Sequence, residues 1–357
     1  MSSSMVIHSD CTHFRGDVPC KPHKEHGVHC DGCTHYDRTV GRILIIKLAA
    51  TGDVIRTTPL LAALQEKYPE REIWWLTQSV DVLPQRVHKR MSLTLEHVLT
   101  IQATSFDVAI NLDKDPHACA IMASVSAHTR YGYTWKDGRP HPVDERAVPK
   151  FLTGLFDDVN QQNTLSYPEE IFAICDLPYA KQEYVIDDPG APPCPLPSGK
   201  GPLVGLNTGC GDRWVAREWP RASWESLVHT LTKRGCRVVL LGGPAEHERN
   251  VEIAASTGAY YPGTFSIKKF FGLVNACDTV VTTVTMALHA AIGLRKHVVL
   301  MNNIFNPHEF ELYGRGVLLQ PDKPCTCYFK HACTNPEYQC MDYLSVERVA
   351  NAVTDHL

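Results

Sequence analysis

No stretch of the 357-residue chain carries about 18 consecutive apolar residues, so none of it reads as a membrane-spanning helix. Basic charge is not in excess either. The formal net charge is −4 and the pI about 6.5, which argues against a general nucleic-acid partner. The opening "MSSSMVIHSD" lacks an apolar core and a basic leader, so no secretory signal is expected and the cytoplasm is the expected location. No internal repeat of 20–50 residues occurs, which sets aside solenoid arrays. The first apolar strand, "RILII", is followed by neither G-x-G-x-x-G nor G-x-x-x-x-G-K-S/T. A Rossmann dehydrogenase would need the former, and "AATGD" does not supply it.

What is present is an α/β pattern. Its 44% apolar content is ordinary for a globular protein, and the length suits two domains. A polar, Cys- and His-rich head without helical or strand period occupies residues 1–40. From 41 to 186 apolar strands (42–48, 72–77, 106–113) alternate with helices near 54–67, 116–127 and 167–177. Residues 187–202, "DDPGAPPCPLPSGKGP", hold six prolines and three glycines and read as a linker. A second series fills 203–357. Its strands are expected at 203–207, 237–243, 278–283 and 297–301, and its helices at 221–233, 245–256, 267–277 and 286–293. Apolar strands alternating with amphipathic helices imply parallel sheets covered on both faces, with ligands at the carboxyl ends of the strands.

Those strand ends carry the candidate chemistry. Asp53, in "KLAATGDVIRTTPLL", sits where nucleotide-binding loops present glycine or lysine. It reads either as a helix N-cap or as a base with one oxygen free for an acceptor hydroxyl. After the 203–207 strand, Thr208, Gly209 and Gly211 offer N–H groups and a hydroxyl, and Arg213 and Arg217 offer guanidinium forks for a diphosphate. Glu246 follows the next strand and could accept from a ribose diol, or could simply favour a helix start. A helix beginning near Thr285 directs free N–H groups to the strand ends, an anion site. His289, one turn on, reads as a ligand contact or as a core histidine.

In this order, "RILIIKLAATGDVIRTTPLL", "GLNTGCGDRWVAREWP", "VVLLGGPAEHE" and "VTMALHAAIG" resemble glycosyltransferase family 9, the ADP-heptose-dependent heptosyltransferases, over about residues 42–357. The resemblance implies a GT-B fold: two Rossmann-like domains facing a cleft, acceptor on the first and donor on the second. It implies that Asp53 is the general base of an inverting transfer to an unknown acceptor (glycan, protein or small metabolite). Thr208, Gly209 and Arg217 would meet the donor phosphates, Arg217 standing where lysine is usual. Glu246 would meet the ribose and Phe265 the adenine, with Thr285, Met286 and His289 in the second phosphate loop. ADP-heptose is the implied donor, and no divalent metal is implied in catalysis. Val284 stands where the family usually has Asp, which keeps open the alternative of a weak or silent nucleotide-sugar-binding module.

Fourteen cysteines without an export signal do not read as a disulfide framework. Cys11, Cys20, Cys30 and Cys33 form one cluster, and His13, His23, His26, His29 and His35 lie among them. Cys325, Cys327, Cys333 and Cys340 form another, C-x-C-x5-C-x6-C, where relatives carry a metal finger linked to iron and to homo-oligomers. Both clusters are expected to bind structural zinc or iron, at one site or two. The six other cysteines, among them Cys236 and Cys277, read as buried thiols.

Overall fold

A computed structural model describes residues 5–211 and 214–357, so Arg213 lies outside the described residues. The chain divides into two compact units. One runs to Leu48 and takes in Leu60–Val80 and Gln85–Ala147; the other comprises Ala49–Pro59, Asp81–Pro84 and Val148–Leu357.

The first unit is built on β1 (Gly41–Ile46), β2 (Arg71–Thr77), β3 (Lys89–Ser92), β4 (Ser105–Asn111), β5 (Ser126–Lys136) and β6 (Arg139–Pro142). Their order is β3-β2-β1-β4-β5-β6, parallel except where β6 turns back along β5. Ile43, Leu44, Ile45 and Ile46 are fully buried, as a central parallel strand covered on both faces requires. The β5–β6 hairpin closes through Asp137 and Gly138, both at positive φ (51° and 77°), the geometry an Asp-Gly pair favours.

The second unit holds β7 (Leu203–Asn207), β8 (Arg237–Leu241), β9 (Thr279–Thr283), β10 (His297–Met301) and β11 (Gly316–Leu319), all parallel in the order β11-β10-β9-β7-β8. Numbered within the unit, this is the doubly wound 2-1-3-4-5 order, whose switch point lies between β7 and β9. The helix Arg221–Lys233 lays Trp224, Leu227, Val228 and Leu231 into the core, and the final helix, Val346–Thr354, adds Val349, Ala350 and Val353.

Three sequence expectations need correction. The head is not without helix: Lys21–His26 is helical, with Pro22 in the first turn and Gly27 ending it at φ 67°. The helix expected over 54–67 is two, Thr51–Ile55 and Leu60–Lys67. Thr58 Oγ1 donates to Ile55 O at 2.6 Å, and Pro59, lacking an N–H, cannot continue the ladder. The helix expected to reach 127 ends at Ser124, because Val125 is already extended and leads into β5.

Candidate active site

At the carboxyl ends of β7, β8 and β9 lies a pocket of about 690 Å³, lined wholly by residues of the second unit. Three loops shape it: Asn207–Gly211, Gly242–Glu246 and Val284–Ala287. Asn207, buried at the end of β7, donates from Nδ2 to Gly209 O (3.1 Å) and Thr282 Oγ1 (3.2 Å), tying the β7 and β9 loops together. Gly209 is required by close approach: a Cβ there would stand 2.2 Å from Glu246 Cγ. Glu246 in turn accepts from Gly211 N (3.0 Å) and Gly243 N (2.8 Å), so its carboxylate laces the β7 and β8 loops.

The pocket is prepared for an anion at two places. Arg217, in the short turn Val215–Arg217, is 6% exposed and lines the pocket. Its Nη2 donates to Cys210 O at 2.9 Å, and its guanidinium lies 5.4 Å from the Phe305 ring centre. Burial presses its pKa downward, and among the described residues it makes no ion pair with a carboxylate. A buried guanidinium keeps its proton, so the site holds a cation with no carboxylate partner among the described residues. Beside it, the eight-residue helix Met286–Gly293 starts at Thr285, whose side chain makes no cap hydrogen bond. That hydroxyl pairs instead with Thr282 Oγ1 at 3.0 Å, so Thr285 does not cap the first-turn N–H groups.

Asp53 lines the same pocket from the helix Thr51–Ile55, which packs against Met286–Gly293. It stands at N3, where Oδ2 accepts from Ala50 N at 3.3 Å, while Oδ1 pairs with Arg56 Nη2 at 2.8 Å. Asp53 is therefore not the N-cap, which is Ala50; from N3 its carboxylate reaches back to the N-cap N–H. Arg56 Nη1 reaches Glu309 Oε1 at 2.7 Å, and its guanidinium lies 3.8 Å from the Tyr167 ring centre. His289 is buried against Gly52, where a Cβ would stand 2.5 Å from its Cδ2. Burial and the neighbouring Arg56 charge lower its pKa to about 3, so it is neutral, and among the described residues its Nδ1 has no hydrogen-bond partner.

Gly209, Arg217, Glu246, Phe265, Thr285, Met286, His289 and Asp53 thus line one pocket. Thr208 does not. It is buried, and its hydroxyl donates to Asn250 Oδ1 at 2.5 Å. Sequence reasoning missed Arg56 and Glu309, together with the aromatic wall of Trp214, Phe305 and Phe329. Arg56 was within reach, lying one turn after Asp53 on the motif already quoted. Glu309, in "NPHEF", carries no local signal.

The wall continues into the C-terminal cysteines, since Cys325, Cys327 and Cys333 pack with Phe305, Phe329 and Trp214. Cys327 Sγ is 3.5 Å from Cys333 Sγ, and Cys325 hydrogen-bonds Cys340. N–H groups point at three of the sulfurs: Cys327 N at Cys325 (3.3 Å), Thr334 N at Cys327 (3.0 Å) and Asn303 Nδ2 at Cys340 (3.2 Å). Cys327 and Cys340 are held below the ordinary thiol pKa, toward the thiolate that ligates metal, whereas Cys325, hydrogen-bonded to Cys340, is pushed up. In the head, Cys11, Cys20, Cys30 and Cys33 line one cavity of about 290 Å³ with His13, His23, His29 and His35. Among the described residues, no three His, Cys, Asp or Glu side chains already converge as a metal cage.

Lipopolysaccharide heptosyltransferase 1 of Pseudomonas aeruginosa is 25% identical over 331 residues, spanning 82% of this chain and 87% of that protein. The E. coli heptosyltransferase WaaC with ADP-2-deoxy-2-fluoro heptose matches at TM-score 0.61 and 16% identity, over 88% of this chain and 100% of that one. The iron-containing dodecameric glycosyltransferase TibC of enterotoxigenic E. coli H10407 matches at TM-score 0.56 and 15% identity, over 89% and 76%. The fold is that of these GT-B heptosyltransferases, two α/β units on parallel sheets. Residues 94–339 match "Glycosyltransferase family 9 (heptosyltransferase)", and the chain belongs to that family of glycosyltransferases.

Proposed function

We propose that the chain transfers a heptose from an ADP-linked donor to an acceptor hydroxyl, with inversion at the anomeric carbon. The observation that carries the reading is Arg217: a buried cation with no carboxylate partner among the described residues, sharing the pocket with a helix start that Thr285 does not cap, at the switch point of a doubly wound sheet. The relatives' names support the donor: WaaC is described with an ADP-heptose analogue. An acceptor on a lipopolysaccharide glycan accords with the P. aeruginosa relative's name. In the step itself, Asp53 takes the acceptor hydroxyl proton as that oxygen bonds to the anomeric carbon. The bond from that carbon to the diphosphate oxygen breaks, and its electron pair leaves with ADP. Arg217 and the N–H groups following Thr285 meet the charge that grows on the leaving group. Glu246 keeps free lone pairs for the ribose, and Phe265 offers an apolar face to the base.

Native mass spectrometry against a panel of nucleotide sugars tests this. Retention of ADP-heptose over UDP-sugars is expected, and the reverse preference overturns the donor. Replacing Asp53 by Asn is expected to abolish transfer while ADP still binds, and transfer at the native rate in D53N removes the base. Val284 supports a second reading, a nucleotide-sugar-binding module, because an apolar residue in the pocket packs on Ile304 and Phe305 where relatives present an acid. ADP-heptose that binds but is never consumed, with any acceptor or water, would favour it.

The C-terminal thiols suit a metal through their donor set, and TibC is described as iron-containing. We infer that Cys325, Cys327, Cys333 and Cys340 hold zinc or iron, and that the head cysteines with neighbouring histidines hold a second ion. Binding has to draw the sulfurs inward from their present positions. Metal analysis of the purified chain should find about two ions, with C325S/C340S and C30S/C33S each removing one. The same native spectra report subunit number, for which dodecameric TibC is the precedent.

A further inference from the structure

Around Asp53 lies a set of charged groups that the transfer step as described does not use. Arg56 is the hinge of that set. One fork of its guanidinium, Nη2, holds Asp53 Oδ1 at 2.8 Å, and the other, Nη1, holds Glu309 Oε1 at 2.7 Å. Arg56 and Glu309 are both largely shut off from water, with side chains 12% and 14% exposed, whereas Asp53 is 32% exposed and faces the pocket. The guanidinium plane is fixed from one face by the Tyr167 ring, whose hydroxyl is 3.0 Å from Thr57 Oγ1; Thr57 Oγ1 in turn donates to Asp53 O at 2.7 Å. A flexible ammonium could not span two carboxylates in this way, because the geometry uses the rigid fork.

We propose that Arg56 and Glu309 are positioning residues for the base. Arg56 orients Asp53 through Oδ1, and Glu309 holds Arg56 and offsets its charge. The offset matters for chemistry. A guanidinium alone beside a carboxylate lowers its proton affinity, by about one to three pH units at this distance. A second carboxylate on the same guanidinium works in the opposite direction and keeps Asp53 basic enough to take a proton. Of the other titratable groups around the set, Glu170 also feels Arg56, but it is buried and paired with Lys150 Nζ at 2.7 Å. His289, from the helix Met286–Gly293, is neutral, and Tyr184 is held protonated by burial. Tyr167 contributes its ring face, and Lys150, whose Nζ lies 5.4 Å from the same ring centre, adds positive charge near Glu309. Burial alone would raise the Glu309 pKa, but Arg56 and Lys150 hold it below the ordinary value, so Glu309 is a standing negative charge.

This assignment rests on the reading of Asp53 as base, and one experiment separates the two. In full-length protein labelled with 13C at aspartate carboxyl carbons, the Asp53 signal is identified by its loss in D53N, and its titration midpoint is read directly. In E309Q, which keeps shape and removes charge, the midpoint is expected to fall. In R56Q it is expected to rise by about one pH unit or more, and R56K is expected to keep the charge effect while losing the bridge to Glu309. ADP release from ADP-heptose, followed across pH, should show its acid limb moving down in E309Q and up in R56Q. An Asp53 midpoint unmoved in both E309Q and R56Q overturns the positioning assignment, whatever the turnover. Full turnover in D53N overturns the base and leaves the measured midpoints to stand on their own. If R56Q does not fold, E309Q alone decides, because glutamine still accepts from Arg56.

Discussion

At the scale of single residues, the pocket is governed by a few groups whose burial fixes their chemistry. Arg217 supplies hydrogen bonds from a charged donor, so replacing it with Met should weaken ADP binding about 10- to 100-fold and adenosine binding little. Titration calorimetry with both ligands checks this; equal losses would place Arg217 away from the phosphates. His289 is a pH device for stability. Its pKa falls from 6.5 to about 3 on folding, so the unfolded chain binds the proton first as pH drops. Stability should therefore be fully present above about pH 6.5 and lost at up to ~1.4 kcal/mol per pH unit between there and pH 3. Urea melts of native and H289F protein at pH 7, 6, 5 and 4 measure it, and the variant should lose that component of the slope. Gly52 is set by the same contact. Alanine is the better helix former, yet a Cβ 2.5 Å from His289 Cδ2 should overpack and cost about 1–3 kcal/mol.

Asp53 was legible because it breaks a pattern, an acid where nucleotide loops carry glycine. Glu309 was not, because its role comes from meeting Arg56 more than 250 positions away in the chain.

At the scale of elements, periodicity located strands buried on both faces and long amphipathic helices. It found β7 and β10 and the helices Arg221–Lys233 and Met286–Gly293 at their observed limits. It missed β3, β5, β6 and β11, which are short, at or near sheet edges, or only partly buried and so lack a continuous apolar run. The β5–β6 hairpin did have a readable cue in "KDGR", where Asp-Gly spans the turn. The cysteine finger acts as an element of the pocket wall. His331 O accepts from Ala216 N at 3.0 Å, and Asn303 Nδ2 donates to Ala216 O at 2.8 Å, clamping the turn that carries Arg217. Chelating the metal proposed for these cysteines, or replacing Cys327 with Ser, should loosen that turn and weaken ADP binding about 3- to 10-fold. Calorimetry before and after chelation reads it, and unchanged affinity with confirmed metal loss would free the pocket from the finger.

At the scale of the whole molecule, the proline-rich stretch at 187–202 invites a cut that packing does not follow. Ala49–Pro59 and Val148–Leu357 belong to one unit. A fragment of residues 187–357 would leave Glu309 without Arg56 and His289 without the cover of Gly52. Breaking one buried pair costs about 3–5 kcal/mol, a large share of the 5–15 kcal/mol that holds a typical domain folded. Scanning calorimetry should show the fragment melting far below the full chain or without a cooperative transition. A fragment that melts at the full chain's temperature would mean that Ala49–Pro59 adds nothing to that unit.

The sequence by itself determined the α/β class, the strands with apolar cores, the family resemblance and the strand ends where a ligand site had to lie. Those features are local: periodicity, turn chemistry and motif order depend on neighbours along the chain. Only the tertiary structure decided that Thr208 faces Asn250, that Glu246 laces two loops, that Asp53 shares Arg56 with Glu309, and that the helix bearing Asp53 packs with the second unit. Each of these depends on which distant residue arrives at hydrogen-bonding distance, and nothing in the spacing of residues along the chain encodes that distance.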